Sequence, residues 1–299
     1  MVQKTILITG CSEGGIGDAL AKSFHKRGFR VFASARNLAK VEHLKYMGLD
    51  ILQLDVTDEV SIRQAVLTVK AATGGHLDFL VNNSGAGKLS SKRMPLLDSD
   101  MSVAKKMFDV NVFAVVAVTQ AFAPLLIASK GTIINIGSVL GKMPFPWQGL
   151  YNASKAAVAM ITDQLRIELS PWGVRAILVN TGAIKTRFFD NLSSKPVLPE
   201  NSLYYPAKDL IEPALAGSEV EGNAMEVNAY AEVVVNNAIR SNPKKHLWSG
   251  GGALVTWLAS TFGWSTVWDI LMPRVAKLPD VKNLIYASEE AVQDRRKAK

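Results

Sequence analysis

Short apolar runs alternate with longer amphipathic stretches along the first 245 residues. Thr5-Ile6-Leu7-Ile8-Thr9 is apolar and ends in glycines, the pattern of a buried strand. The same pattern returns at residues 30–36, 51–56, 77–81, 132–137 and 174–180, which predicts six strands. Between them the apolar positions take helical spacing. Leu20 and Phe24 share one face of a helix that Gly28 ends. Thr57 stands as the cap of a helix beginning Asp58-Glu59. A long helix is predicted over about 101–128. Another starts near Tyr151, with Ala156, Ala157, Val158, Ile161, Leu165 and Ile167 as its apolar stripe and Ser170-Pro171-Trp172-Gly173 as its stop. Residues 187–223 lose periodicity and carry Pro196, Pro199, Pro206 and Pro213, after which Met225 to Ile239 returns to a helix. The alternation predicts an α/β domain over 1–246 and an extension over 247–299 that is hydrophobic, then basic.

Composition narrows this only slightly. With 299 residues, 48% of them hydrophobic, the chain can bury a large core. The one cysteine, Cys11, excludes an internal disulfide and predicts a reducing, intracellular compartment. Met1-Val2-Gln3-Lys4 runs straight into the first strand, so no secretory signal is expected. Much of the net charge of +8 sits in the tail and around residues 240–246. No nucleic-acid recognition motif accompanies it, and an anionic cofactor or a membrane surface accounts for it equally well.

The candidate chemistry centres on Tyr151 and Lys155, four apart and so on one helix face. A free phenol, with a pKa of roughly 10, exchanges protons poorly at neutral pH, whereas an adjacent ammonium favours the phenolate. The pair therefore reads as a general acid–base. Ser138 lies upstream at the end of a buried strand. The first strand runs into Gly10-Cys11-Ser12-Glu13-Gly14-Gly15-Ile16-Gly17, and strand, glycine turn and helix start together make a phosphate site. The same loop spells G-x-S-x-G, as at a hydrolase nucleophile, but none of His25, His43, His76 and His246 stands where a base is expected. At the exit of the second strand no acid is present for a ribose 2′-hydroxyl; Ser34 and Arg36 suit a 2′-phosphate and hence NADP(H).

Glycine turn, Ser138 and the Tyr151-Asn152-Ala153-Ser154-Lys155 stretch together resemble the short-chain dehydrogenase/reductase superfamily. The extension narrows the resemblance to NADPH-dependent 1-acyldihydroxyacetone-phosphate reductases and related fungal reductases. The resemblance implies a doubly wound parallel sheet, the Rossmann fold, with helices on both faces. It implies catalytic roles for Asn111, Ser138, Tyr151 and Lys155, with Lys155 also holding the nicotinamide ribose and Asn111 holding a water in a proton relay. In the glycine turn Gly10, Ser12, Gly15, Ile16 and Gly17 would meet the cofactor, one residue longer than the family's T-G-x-x-x-G-x-G. Asp55 and Val56 match residues that contact adenine, and Asn83 and Gly85 stand in Asn82-Asn83-Ser84-Gly85, close to the family's N-N-A-G. Gly182, Ile184 and Thr186 match the nicotinamide end, with Thr181 in place of the usual proline. No metal is implied. The partners implied are a small-molecule ketone or alcohol and a second copy of the chain, paired through the helices near 101–128 and 150–169.

Two regions bear on the substrate. Residues 187–223 would cover it, and Phe188, Phe189, Leu203, Tyr204 and Tyr205 suit a bulky, apolar molecule. In the extension, Trp257, Trp264 and Trp268 recur at helical spacing with Lys244, Lys245, Arg274 and Lys277 flanking. That suits a helix lying in a membrane interface, at the endoplasmic reticulum or lipid droplets, or else a helix packed on the domain over the substrate mouth. Competing with the reductase are a non-catalytic NADP-binding regulator and a glycerolipid hydrolase using Ser12.

Overall fold

The computed structural model describes residues 3–85, 93–186, 196–216 and 221–297. The predicted strands form as β1 (Thr5–Ile8), β2 (Arg30–Ala35), β3 (Asp50–Gln53), β4 (Phe79–Asn82), β5 (Thr132–Ile136) and β6 (Arg175–Thr181). Two short strands, β7 (Ile184–Lys185) and β8 (Met225–Glu226), pair with each other, and β9 (His246–Ser249) joins the main sheet. That sheet is parallel, in the order β3-β2-β1-β4-β5-β6-β9. Its direction of winding reverses between β1 and β4, which opens a crevice at the carboxyl ends of those strands.

Continuous apolar strands need cover on both faces. On one side Leu20 and Phe24 of α1 (Ile16–Lys26) and Tyr230, Val234 and Val235 of α8 (Val227–Ala238) bury Ile6, Ile8, Val31 and Val81. On the other, Ile62, Ala65 and Val69 of α3 (Glu59–Thr73) and Val118, Phe122 and Leu126 of α5 (Ala114–Ser129) bury Leu7, Leu80 and Ile133. The run Met101–Ser129 is long and apolar enough to cross a bilayer by length and composition, yet its apolar side is this core.

Several boundaries differ from the sequence expectation. Asp58, not Thr57, caps α3, accepting from the amides of Val60 and Ser61, while Thr57 turns its hydroxyl to Asp55. The long helix is three pieces: α4 (Met101–Phe108), a π-turn over Asp109–Phe113, and α5. Met225 and Glu226 are strand rather than helix. Two further helices are α2 (Glu42–Tyr46) and α6 (Gly149–Glu168). Within 187–223, α7 (Lys208–Ala216) forms despite Pro213, which hid it. Phe188 and Phe189 lie outside the described residues.

The extension is helical: α9 (Ala253–Phe262), α10 (Val267–Val275) and α11 (Leu278–Lys297). β9 begins at His246, the residue at which the sequence placed the domain's end. The tryptophans do not share one stripe, because the helix breaks at Gly263: Trp268 is buried, Trp264 is exposed, and Trp257 stacks edge-on with Phe262 at 5.8 Å.

Candidate active site

The glycine turn closes through one asparagine. Asn83, just past β4, donates from Nδ2 to the carbonyls of Thr9 and Gly10, each at 2.9 Å. A Cβ on Gly17 would lie 2.6 Å from that nitrogen and collide with the Gly10 carbonyl, so only glycine lets α1 start here. The extra residue is absorbed at Gly14, which takes a left-handed φ of 74° and donates its amide to Asp18. Gly15 is then the N-cap of α1, and no side chain caps it. A helix N-terminus left without a cap, beside a glycine at φ 73°, Gly10, fits a pyrophosphate by backbone donors. Ser12 is exposed beside it and Ile16 packs on the core below.

Around the adenosine end the assignments divide. Arg36 is exposed at the exit of β2. Ser34 is not available for a 2′-phosphate: it is 0% exposed and its hydroxyl is held by the Ile8 carbonyl at 3.1 Å. Alternation within the strand turned it inward, between β1 and β2. Asp55 accepts from the Thr57 amide and hydroxyl, and Val56 puts its side chain in the core, leaving its backbone at the crevice. Gly85 is exposed after β4. At the opposite end Gly182 packs on the backbone of Gly250, Ile184 is buried against the sheet, and Thr186 follows β7. Thr181, at the usual proline position, is part of the packing: its hydroxyl meets the phenol of the buried Tyr230 at 2.6 Å.

Asn111, Ser138, Tyr151 and Lys155 converge at the carboxyl end of β5. Ser138 caps a short turn, Val139–Gly141, by accepting from the Leu140 amide at 3.1 Å, and its hydroxyl hydrogen-bonds the Tyr151 phenol. Gly141 lets that turn press on α6: a Cβ there would come 2.8 Å from the backbone of Lys155. Lys155 is buried and donates to the Ile136 carbonyl at 3.0 Å. Its ammonium lies 5.9 Å from the centre of the Tyr151 ring. Asn111 sits in the π-turn, a distortion that recurs at functional sites, and donates to Ser154 Oγ at 3.1 Å. Ser154 in turn donates to the Tyr151 carbonyl at 2.7 Å.

The electrostatics differ from the sequence expectation. Burial lowers Lys155 to about 8. Burial also raises the Tyr151 phenol, opposed by the Ser138 hydrogen bond and by the positive charge of Arg93. The phenol is therefore not made acidic by Lys155 here: desolvation dominates, and the groups that pull the phenol down are Ser138 and Arg93.

Three residues that the sequence did not mark complete the surroundings. Arg93 and Trp147 line a cavity of about 190 Å³ with Tyr151, Met107 and Leu150. Tyr230 lies near enough for its charge to couple to Tyr151. Beneath the site a buried chain runs Thr119–Asn82–Asn135–Thr162, tying β4 and β5 to α5 and α6 at 2.8–3.1 Å per link. Asn135 falls within a predicted strand, where only its polarity in an apolar run could have given it away, and Asn82 opens the Asn82-Asn83-Ser84-Gly85 motif and extends by one residue the strand predicted over 77–81. His43 bonds Asp18 at 2.8 Å, and neither is hydrogen-bonded to Ser12, so the hydrolase reading has no base in place.

A reversed parallel sheet, a glycine-rich helix start and a Ser–Tyr–Lys cluster at the strand ends define a dinucleotide-dependent oxidoreductase. Residues 4–196 match the short chain dehydrogenase family, and the chain belongs to it. It is 43% identical over 260 residues to the short-chain dehydrogenase cctT of Talaromyces islandicus, covering 87% of this chain and 90% of that one. It is 44% identical over 216 residues to the NADPH-dependent 1-acyldihydroxyacetone phosphate reductase of Schizosaccharomyces pombe, 70% of each. Among solved structures, a short-chain dehydrogenase from Streptomyces avermitilis shares the fold with a TM-score of 0.74 at 24% identity, over 95% of this chain and 98% of that one.

Proposed function

We propose that this enzyme reduces a ketone on a bulky, apolar molecule to a secondary alcohol, with NADPH as the reductant. One observation carries the reading: the Ser138 hydroxyl rests on the Tyr151 phenol at the wall of a cavity that Met107, Trp147 and Leu150 share with Arg93 and Asp98. NADPH, when bound, supplies the hydride. Ser138 and Tyr151 receive the negative charge that grows on the substrate oxygen, and Tyr151 gives it a proton. Lys155 holds the ribose, and Asn111 holds a water on the path by which the phenol is reprotonated. The exposed Arg36 and the NADPH dependence of the fission-yeast relative support the phosphorylated cofactor. On the same reading the enzyme works inside the cell, in the cytoplasm or peripherally at the endoplasmic reticulum or lipid droplets. Exposed Phe113, Met160 and Ile167 support pairing of two copies through the long helices.

The test is oxidation of NADPH followed with a panel of ketones. Tyr151→Phe should lower kcat by roughly 10²–10⁴-fold while cofactor binding survives. Turnover by the variant at the parental rate overturns the assignment. Cofactor binding without turnover of any ketone favours the regulator instead.

A further inference from the structure

The extension does not stand apart from the catalytic domain. Val281 of α11 is 4% exposed, in a cluster with Trp147, Leu198, Ala207, Ile211 and Leu215, and Leu278 and Ile285 pack on the same cluster. Trp147 belongs to the turn before α6, four residues from Tyr151, and is stacked edge-on by Tyr204 at 5.3 Å. Between α11 and that turn lies a second cavity of about 650 Å³. Its walls are Trp147, Tyr204, Phe145, Leu278, Val281 and Ile285. It shares Trp147 and Gly149 with the cavity that holds Tyr151, and Leu96 of one wall is two residues from Asp98 of the other.

We infer that α11 forms a subsite for the apolar tail of the substrate, continuous with the cavity in which the carbonyl meets Tyr151. The inference rests on the reductase reading and names the substrate class: a ketone carrying an unbranched or ring-bearing hydrocarbon tail. The occupant follows from the walls. They are mostly apolar and aromatic, and a space of this size against Trp147 and Ile285 gains by taking hydrocarbon. The catalytic cavity is too small for such a tail, and the second cavity is the space that adjoins it. Lys282 and Glu289 are exposed along the outer rim, where the tail's end would meet water.

The experiment uses the full chain and a series of 2-alkanones from butanone to 2-tridecanone. In the parent, kcat/KM should climb about threefold or more per added methylene until the cavity is filled. Ile285→Trp occupies the space, so the ratio of kcat/KM for 2-tridecanone over butanone should fall at least tenfold. Ile285→Ala enlarges it and should move the optimum to longer chains, which a misfolded protein could not do. A flat series in the parent, or an unchanged ratio in both variants, overturns the subsite. Calorimetric titration of 1-dodecanol, in the presence of NADP⁺, decides independently of turnover. If no ketone is reduced but dodecanol binds the parent and not Ile285→Trp, the subsite stands and the reductase reading fails. If dodecanol does not bind the parent, the subsite fails.

Discussion

Replacing Lys155 with methionine should make the protein more stable while disabling it. The ammonium is buried, and burial brings it from 10.5 to about 8. A shift of that size corresponds to a penalty of about 3 kcal/mol for folding with the lysine charged. Against it stands the hydrogen bond to the Ile136 carbonyl, worth about 1 kcal/mol. Methionine keeps the apolar stem and removes the charge, so Lys155→Met should gain about 2 kcal/mol at pH 7, or about 5 °C in Tm for a chain of this size. The pH dependence identifies the cause. Below pH 8 both folded and unfolded lysine carry the proton and the penalty is complete. Between about 8 and 10.5 the unfolded chain holds more protons than the folded one, so the parent gains stability as pH rises, by about 1.4 kcal/mol per unit. Denaturant unfolding of parent and variant at pH 7.0 and 9.5 should therefore show the variant's advantage shrinking by about 2 kcal/mol. A variant no more stable at pH 7, or a gap that stays constant with pH, would refute the claim that this lysine is held at a cost.

Neighbouring groups lead to three shorter predictions. Arg93→Met removes the cation that draws the Tyr151 phenol down, so the pH at which alcohol oxidation becomes half-maximal should move upward; a pH–rate profile checks it. Arg36→Ala should raise KM for NADPH about tenfold and leave KM for NADH within about twofold, if the exposed guanidinium meets the 2′-phosphate. Leu254, Val255, Leu258, Phe262 and Trp264 are all exposed. If they rest on a membrane, the protein should sediment with anionic vesicles and lose that on combining Leu254→Asp with Leu258→Asp.

The strands and the cluster at their ends were legible because each depends on local pattern. A parallel sheet covered on both faces makes its strands apolar runs, and Ser138, Tyr151 and Lys155 lie on one such strand end and one helix turn. What escaped depended on partners distant in sequence. β9 is an edge strand of four residues containing a histidine and a tryptophan, and only pairing with β6 makes it a strand. Ser34 looked like a phosphate ligand until its direction was fixed by β1 on one side. Arg93 and Trp147 stand in no motif; they meet Tyr151 because α4 and the turn before α6 enclose one cavity. The tryptophan stripe failed on one residue, Gly263, which breaks the periodicity on which it was drawn.

The disagreement over the phenol bears on the direction of the reaction. An acidified tyrosine is what alcohol oxidation needs, because the phenolate must first take a proton. Ketone reduction needs the opposite resting state, a phenol that still holds its proton when the hydride arrives. Burial supplies that state: Tyr151 is pushed up, and Lys155 at about 8 keeps its own proton at neutral pH. After the proton is given, the phenolate would be costly in the same surroundings, and the groups that oppose the cost are those observed facing it, the Ser138 hydroxyl and the Arg93 cation. A phenol that burial holds up keeps the proton on which the proposed reduction would draw, whereas oxidation would first have to ionise it against that burial. The reverse reaction should accordingly require a more alkaline solution than the forward one, even before any difference in cofactor supply is considered.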